Sequence, residues 1–203
     1  MESQRLLKLI SFESELWKEG KKHIAGLDEA GRGPLAGPVV AAAVIFPAGN
    51  VNITGLNDSK KLSALQRERL EIEIKAKALC FAVSSASHLE IDRYNILQAT
   101  KLAMVRAINK LSLRPEHLLI DAITLQGVEL PQLAIVKGDS LSASIAAASI
   151  LAKCYRDRLM ISFDKIFPQY GFAKHKGYPT VIHYTALKSF GPCPIHRRSF
   201  RLL

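Results

Sequence analysis

Hydrophobic and polar positions fall into blocks whose period changes along the chain. In residues 1–20, MESQRLLKLISFESELWKEG, Leu6, Leu7, Ile10 and Leu16 recur at a rough 3.6-residue spacing. This predicts one short helix covering the domain, closed by Gly20, Lys21 and Lys22. From His23 the pattern becomes strand-like. Residues 23–46, HIAGLDEAGRGPLAGPVVAAAVIF, set two runs rich in Val, Ile and Ala around Asp28, Glu29, Arg32 and glycines. They read as strand, tight turn and strand, an antiparallel hairpin with its acids near the turn. Successive strand side chains point to opposite faces, so Asp28 and Glu29 share a ligand only if the strand ends there and turns at Gly31 and Gly33. Gly31 to Ala36 also fits the loose pattern G-x-G-x-x-A, but that pattern must open a helix, and VVAAAVIF follows here instead.

Residues 47–61 are a polar loop ending in Asn57-Asp58-Ser59-Lys60-Lys61. It is either a helix entry capped by Asp58, Ser59 or Ser63, or a pair of lysines laid against phosphate. A charged amphipathic helix over 63–78 and a strand from Leu79 to Ser85 come next. Asp92-Arg93-Tyr94-Asn95 then leads into a helix over 96–111 with Leu97, Met104, Val105 and Ile108 inward. The apolar run His117–Ala122 is a strand ending in Asp121, and a short strand, Leu133–Val136, precedes Lys137-Gly138-Asp139-Ser140. Asp139 is placed to cap a helix of small residues, SLSASIAAASILAK, which ends near Phe167-Pro168. Its Ser and Ala positions let it lie close to a neighbour, pressing the carboxylate at its mouth into a site. Arg156, Asp157 and Arg158 read as an exposed, self-paired surface. Residues 170–180, YGFAKHKGYPT, form a basic loop with interleaved aromatics, suited to phosphates and stacking, or a Gly/Pro turn with core aromatics. Thr180 caps a last helix to Ser189, and PIHRRSFR is a docked strand or a phosphate-contacting arm.

Length and charge narrow the function. A chain of 203 residues fits one domain, or one domain with an appendage, and 48% hydrophobic residues can fill a core. Lys+Arg 28 against Asp+Glu 18 leaves +10, which favours a polyanionic partner, nucleic acid ahead of an acidic membrane. Three distant cysteines without a C-x-x-C pair exclude a disulfide framework or zinc finger. The N-terminus lacks the apolar run of a secretory signal, and Leu141–Ala152 is shorter than the roughly 20 residues that span a bilayer. A reduced, cytoplasmic protein follows. Asp28, Glu29, Asp121 and Asp139 are hard oxygen donors for Mg²⁺ or Mn²⁺, delivered largely from strand ends. Four carboxylates on a basic protein suit two divalent ions roughly 3.5–4 Å apart in phosphodiester hydrolysis. A non-catalytic binder explains the charge but not the acids, which repel phosphates unless a metal intervenes.

Seven motifs occur in order: DEAGRGPLAGPV at 28–39, NDSKKL at 57–62, YNILQAT at 94–100, IDA at 120–122, KGDSLSASIAAASILAK at 137–153, HKGYPT at 175–180 and PIHRRSF at 194–200. With them the chain from His23 to Phe200 resembles the bacterial ribonuclease HII family. The resemblance implies an α/β, RNase H-like fold with a mixed β-sheet flanked by helices and a C-terminal helical segment over 165–203. Residues 1–22 are then a helical extension and 23–203 the catalytic domain. It implies that Asp28, Glu29, Asp121 and Asp139 are the catalytic metal ligands, with Mn²⁺ or Mg²⁺ as cofactor. Gly31, Arg32, Gly33 and Tyr178 would read the ribonucleotide's 2′-hydroxyl, which separates RNA from DNA. Lys60, Lys61 and Lys176 complete the substrate-binding set. The implied reaction is cleavage 5′ of ribonucleotides in RNA–DNA hybrids or embedded singly in duplex DNA, leaving 3′-hydroxyl and 5′-phosphate, by a monomer without membrane partners. Cys193 stands where a small hydroxyl residue is more usual. No clear clamp-binding peptide ends the chain, which leaves a sliding-clamp partner open.

Overall fold

The computed structural model describes residues 2–203. Among these, β1 (Ile24–Ala30), β2 (Val39–Ile45), β3 (Cys80–Ala86), β4 (His117–Asp121) and β5 (Gln132–Ile135) form one sheet in the order β3-β2-β1-β4-β5. β1, β2 and β3 pair antiparallel, whereas β4 and β5 run parallel to β1, so the sheet is mixed. β2 is buried along its whole length, which is why VVAAAVI reads as a continuous apolar run rather than an alternation. Its even-numbered side chains pack beneath helices α3 (Ala64–Lys77) and α5 (Ala143–Ile166), its odd-numbered ones beneath α4 (His88–Asn109). The small residues of α5 do what their size suggests. A Cβ on Gly26 of β1 would lie 2.1 Å from the Ser144 carbonyl carbon, so backbone meets backbone there.

Four expectations need correction. The N-terminal stretch is two helices, α1 (Glu2–Leu9) and α2 (Ser11–Lys18), broken at Ile10. Leu9 joins the cluster under α3 and α5, while Phe12 and Leu16 pack on Ile24, Leu119, Ile135 and Ile145, and one straight helix does not serve both. Helix α4 starts at His88 rather than 96, because Ser87 and Glu90 form a capping box. It kinks at Asn95, whose φ is 67° and whose side chain accepts from the Leu97 and Gln98 N–H groups, and Leu97 faces outward. Asp139 does not cap α5: Ser142 does, and Asp139 sits in a 3₁₀ turn, Gly138–Ser140, just before it. β1 and β2 are joined by residues 31–38, a longer loop than a tight turn.

That loop is covered by the C-terminal segment, which holds α6 (Phe172–His175) and α7 (Val181–Phe190). Ala36 bridges His196, the Leu35 N–H donates to the Gly177 carbonyl at 2.8 Å, and the Arg197 N–H donates to the Leu35 carbonyl. Leu35, Ala36, Met160, Tyr170, Phe172, Leu187 and Ile195 form a separate apolar cluster under it.

Candidate active site

The β1–β4 pairing stops at Leu27↔Ile120, so Asp28, Glu29 and Ala30 continue past the last paired position of β4. The acids therefore stand within a strand that outruns its neighbour, not at a turn as the sequence suggested. Asp28 is 3% exposed, faces α5, and accepts hydrogen bonds from the Glu29 N–H at 2.7 Å and the Ser149 hydroxyl. Burial first, then the charges of Glu29 and Asp121, raise its pKa well above the usual carboxylate range. Glu29 is also raised, by burial, against the opposing pull of Arg32, which stands 3.6 Å away. Asp121 ends β4, and its Oδ1 accepts the Gly138 N–H at 2.7 Å. That bond ties the strand end to the turn bearing Asp139. Asp139 is buried; desolvation, then the charge of Asp58, lifts its pKa, opposed by Lys60 at 3.4 Å.

The four predicted acids thus feel one another across a single sheet edge. Among the described residues no three His, Cys, Asp or Glu side chains stand close enough together to enclose an ion as they are. The donor set nevertheless fits a hard divalent cation: it is all carboxylate oxygen, largely buried, and short of positive charge. Lys60 supplies part of that charge. Burial works against its ammonium, but Asp139, Asp28 and Asp58 outweigh burial and raise its pKa. Lys61 reaches the Ser140 hydroxyl at 3.3 Å. Lys176 stands apart, its ammonium donating to the Ala173 carbonyl.

The Gly31-Arg32-Gly33 turn lies beside these acids with Arg32 and Gly33 exposed. A Cβ on Gly33 would be 3.7 Å from Cε1 of Tyr178, so the turn and the distant tyrosine are neighbours. Tyr178 is 40% exposed, unlike the buried Tyr170 and Phe172 of the same stretch. Its ring faces Lys153 and Arg156 at 6.0 and 5.9 Å from their charged groups. A surface cavity of about 710 Å³ lies elsewhere, lined by Val105, Leu113, Arg114 and Leu130, and none of the four acids borders it.

Arg156 overturns the sequence reading, and Arg197 decides between the two open for the tail in favour of docking. Arg156 is 1% exposed and donates to the carbonyls of Pro38, Lys176 and Ala36 at 3.0–3.1 Å. Arg197 is fully buried and donates to Gly37, Arg32 and Gly31 carbonyls at 2.9, 2.9 and 2.6 Å. The first is no surface residue and the second no phosphate arm: both hold the loop. Asp157 and Arg158 also pair away from each other, with Arg67 and Lys153, and with Glu71. Asp58, Ser149, Arg156 and Arg197 were the site residues that sequence reasoning did not assign to it.

A mixed sheet in this order, with carboxylates gathered at one edge, defines a nuclease of the RNase H-like class. The family model described as Ribonuclease HII matches residues 25–203. The chain is 58% identical over 200 residues to the ribonuclease HII of Desulfitobacterium hafniense, covering 98% of this chain and 76% of that one. Among solved structures it is similar to ribonuclease H2 from Pyrococcus horikoshii (28% identity, TM-score 0.74, 89% and 94% coverage). It is similar also to the ribonuclease HII of Archaeoglobus fulgidus, solved in complex with PCNA (28% identity, TM-score 0.71, 86% and 92% coverage). The chain belongs to the ribonuclease HII family. It is a hydrolase, an endoribonuclease acting on RNA–DNA hybrids and on ribonucleotides in duplex DNA. No described helix is long and apolar enough to cross a membrane.

Proposed function

We propose that Asp28, Glu29, Asp121 and Asp139 together hold divalent ions, Mn²⁺ or Mg²⁺, at the scissile phosphodiester. Held there, divalent ions would supply activation of the attacking water and stabilisation of charge on the departing oxygen. The chain supplies carboxylates that burial and mutual repulsion leave unsatisfied, with Lys60 and Arg32 offsetting only part of their charge. Gly31, Arg32, Gly33 and Tyr178 read the ribose: the open glycine turn admits the 2′-hydroxyl to its backbone, and the tyrosine ring packs against the sugar. Lys60 and Lys61, exposed beside the acids, bind flanking phosphates. Lys176, whose ammonium donates to the Ala173 carbonyl, joins this phosphate-binding set from the neighbouring loop. Cleavage falls 5′ of the ribonucleotide, breaking the P–O3′ bond and leaving 3′-hydroxyl and 5′-phosphate ends.

One observation carries this reading: the glycine turn, Tyr178 and the acidic edge are adjacent although they come from opposite ends of the chain. The test is a labelled duplex carrying one ribonucleotide, incubated with Mg²⁺, with Mn²⁺ and with EDTA. A single metal-dependent cut 5′ of the ribose is expected. An untouched duplex beside a degraded RNA–DNA hybrid would leave the metal site standing and remove the 2′-hydroxyl role of this loop. Asp121→Asn abolishes cleavage and keeps hybrid binding in a gel-shift assay, because a ligand is lost and the basic surface is not; near-normal turnover would take Asp121 out of the site.

A further inference from the structure

Three buried imidazoles lie beneath the Tyr178 loop, and none takes part in the chemistry proposed above. His183, in the first turn of α7, is fully buried, and His196, in the C-terminal tail, is 1% exposed. Their Nε2 atoms are 3.0 Å apart. His183 Nδ1 lies 3.0 Å from the Tyr178 carbonyl, and His196 Nδ1 lies 2.9 Å from the Cys193 backbone nitrogen. Their rings have little freedom to turn. Phe172 meets His183 edge-on at 5.5 Å, and His175 stacks on its face at 4.6 Å.

These contacts determine where each proton sits. The Cys193 N–H only donates and lies 2.9 Å from His196 Nδ1, closer than the Cys193 carbonyl at 3.3 Å, and the Cys193 thiol at 3.1 Å can donate there too, so Nδ1 accepts and the proton is on Nε2. That Nε2–H points at His183 Nε2, which must accept. The remaining proton of His183 is therefore on Nδ1 and donates to the Tyr178 carbonyl. The same logic assigns His175: its Nδ1 accepts the Gly177 N–H at 3.2 Å, so its Nε2–H donates to the Tyr170 carbonyl at 2.8 Å. Every ring is neutral, and hydrogen bonds run one way, from Cys193 through His196 and His183 to Tyr178. Burial drives all three pKa values down, His196 to about 4, in keeping with this arrangement.

Tyr178 is thereby fixed through its main chain. Its carbonyl also accepts the Thr180 N–H at 2.8 Å, and its own N–H donates to the His175 carbonyl at 2.9 Å. Only the ring stays exposed. A reader of the ribose that is held in this way before binding needs little ordering when substrate arrives.

We propose that the His196–His183 relay positions Tyr178 for ribose recognition, with His183 as the positioning residue. This rests on Tyr178 reading the ribose, as proposed above. The test compares His183→Asn with His183→Gln in the full-length protein with Mn²⁺, on a duplex containing one ribonucleotide. Asn can place a donor where Nδ1 stands; Gln can place a polar group only where Nε2 stands. The expected result is a loss in kcat of about tenfold for His183→Gln, the scale of one lost hydrogen bond. His183→Asn keeps most of the activity, and KM is little changed in either. In a Tyr178→Ala background, His183→Gln causes no further loss. Equal losses in both backgrounds, or Asn as damaging as Gln, would overturn the relay. If Tyr178→Ala itself cleaves normally, the underlying reading fails instead. Long-range ¹H–¹⁵N spectra of the histidine-labelled wild-type protein need no variant: Nδ1–H is expected for His183 and Nε2–H for His196 and His175. His183 in the Nε2–H form would also overturn the proposal.

Discussion

Arg156 is the reason residue 31 is a glycine. Gly31 has φ of 97°, and a Cβ there would lie 2.0 Å from Arg156 Nε. Neither guanidinium of the Arg156–Arg197 pair has an ion-pair partner among the described pairings; six backbone carbonyls solvate them instead. Burial lowers the pKa of Arg156 to about 10, and burial with the repulsion of Arg156 lowers that of Arg197 to about 9, so both stay charged at neutral pH. Gly31→Ala combines a clash with an unfavourable φ and should cost about 2–4 kcal/mol of stability, seen as a lower urea midpoint, and reduce cleavage with it. An unchanged midpoint would mean that the loop shifts freely. Part of this was legible in sequence. Ala148, Ala152, Arg156 and Met160 recur every four residues on the buried face of α5, but the adjacent Asp157 and Arg158 made the triplet look solvated.

Helix α5 owes its position partly to one polar side chain from far away in sequence. Glu13 of α2 is 2% exposed, and its Oε1 accepts from the Ser142 hydroxyl, the Ser144 N–H and the Ser144 hydroxyl at 2.6, 2.9 and 2.6 Å. A carboxylate at the mouth of α5 complements the free N–H groups there. This is the helix that follows the turn bearing Asp139, so the N-terminal stretch reaches the site indirectly. Glu13→Ala should cost about 2–3 kcal/mol by thermal melts, because buried donors lose their acceptor, and cleavage should fall as well. Normal activity in the folded variant would confine Glu13 to stability. The C-terminal elements titrate. His183, His196 and His175 face Cys193, Tyr170, Asp164, Lys176 and Arg198, and all three imidazoles are held below their ordinary value. The unfolded chain binds these protons near about pH 6.5, whereas folded His196 refuses its proton until about 4. The contribution is therefore complete above about pH 6.5 and is lost as pH falls toward about 4. Melting temperature should drop across that window, and His196→Gln should flatten the slope there.

At the scale of the whole molecule, a basic body presents an acidic edge. The +10 charge lies away from the acids and draws the polyanion, while on the function proposed above the four carboxylates take the cations. Raising salt should weaken kcat/KM steeply through KM while kcat changes little, since phosphate contacts release counterions. A salt-independent KM would mean that recognition rests on the ribose alone. The sequence by itself determined the strands, the small-residue helix that presses on Gly26, and the acids, because these follow from local period, side-chain size and residue chemistry. It also brought Gly31, Arg32, Gly33 and Tyr178 under one expectation through ordered motifs. Folding in three dimensions was needed to show that Asp28 and Glu29 overlook the end of β4, that Arg156 and Arg197 are buried, and that Glu13 binds the first turn of α5 beside its Ser142 cap. The direction of the imidazole relay belongs there too. Each depends on contacts made across tens of residues, of which local patterning shows at most a part, as in the four-residue spacing that puts Arg156 on the buried face of α5.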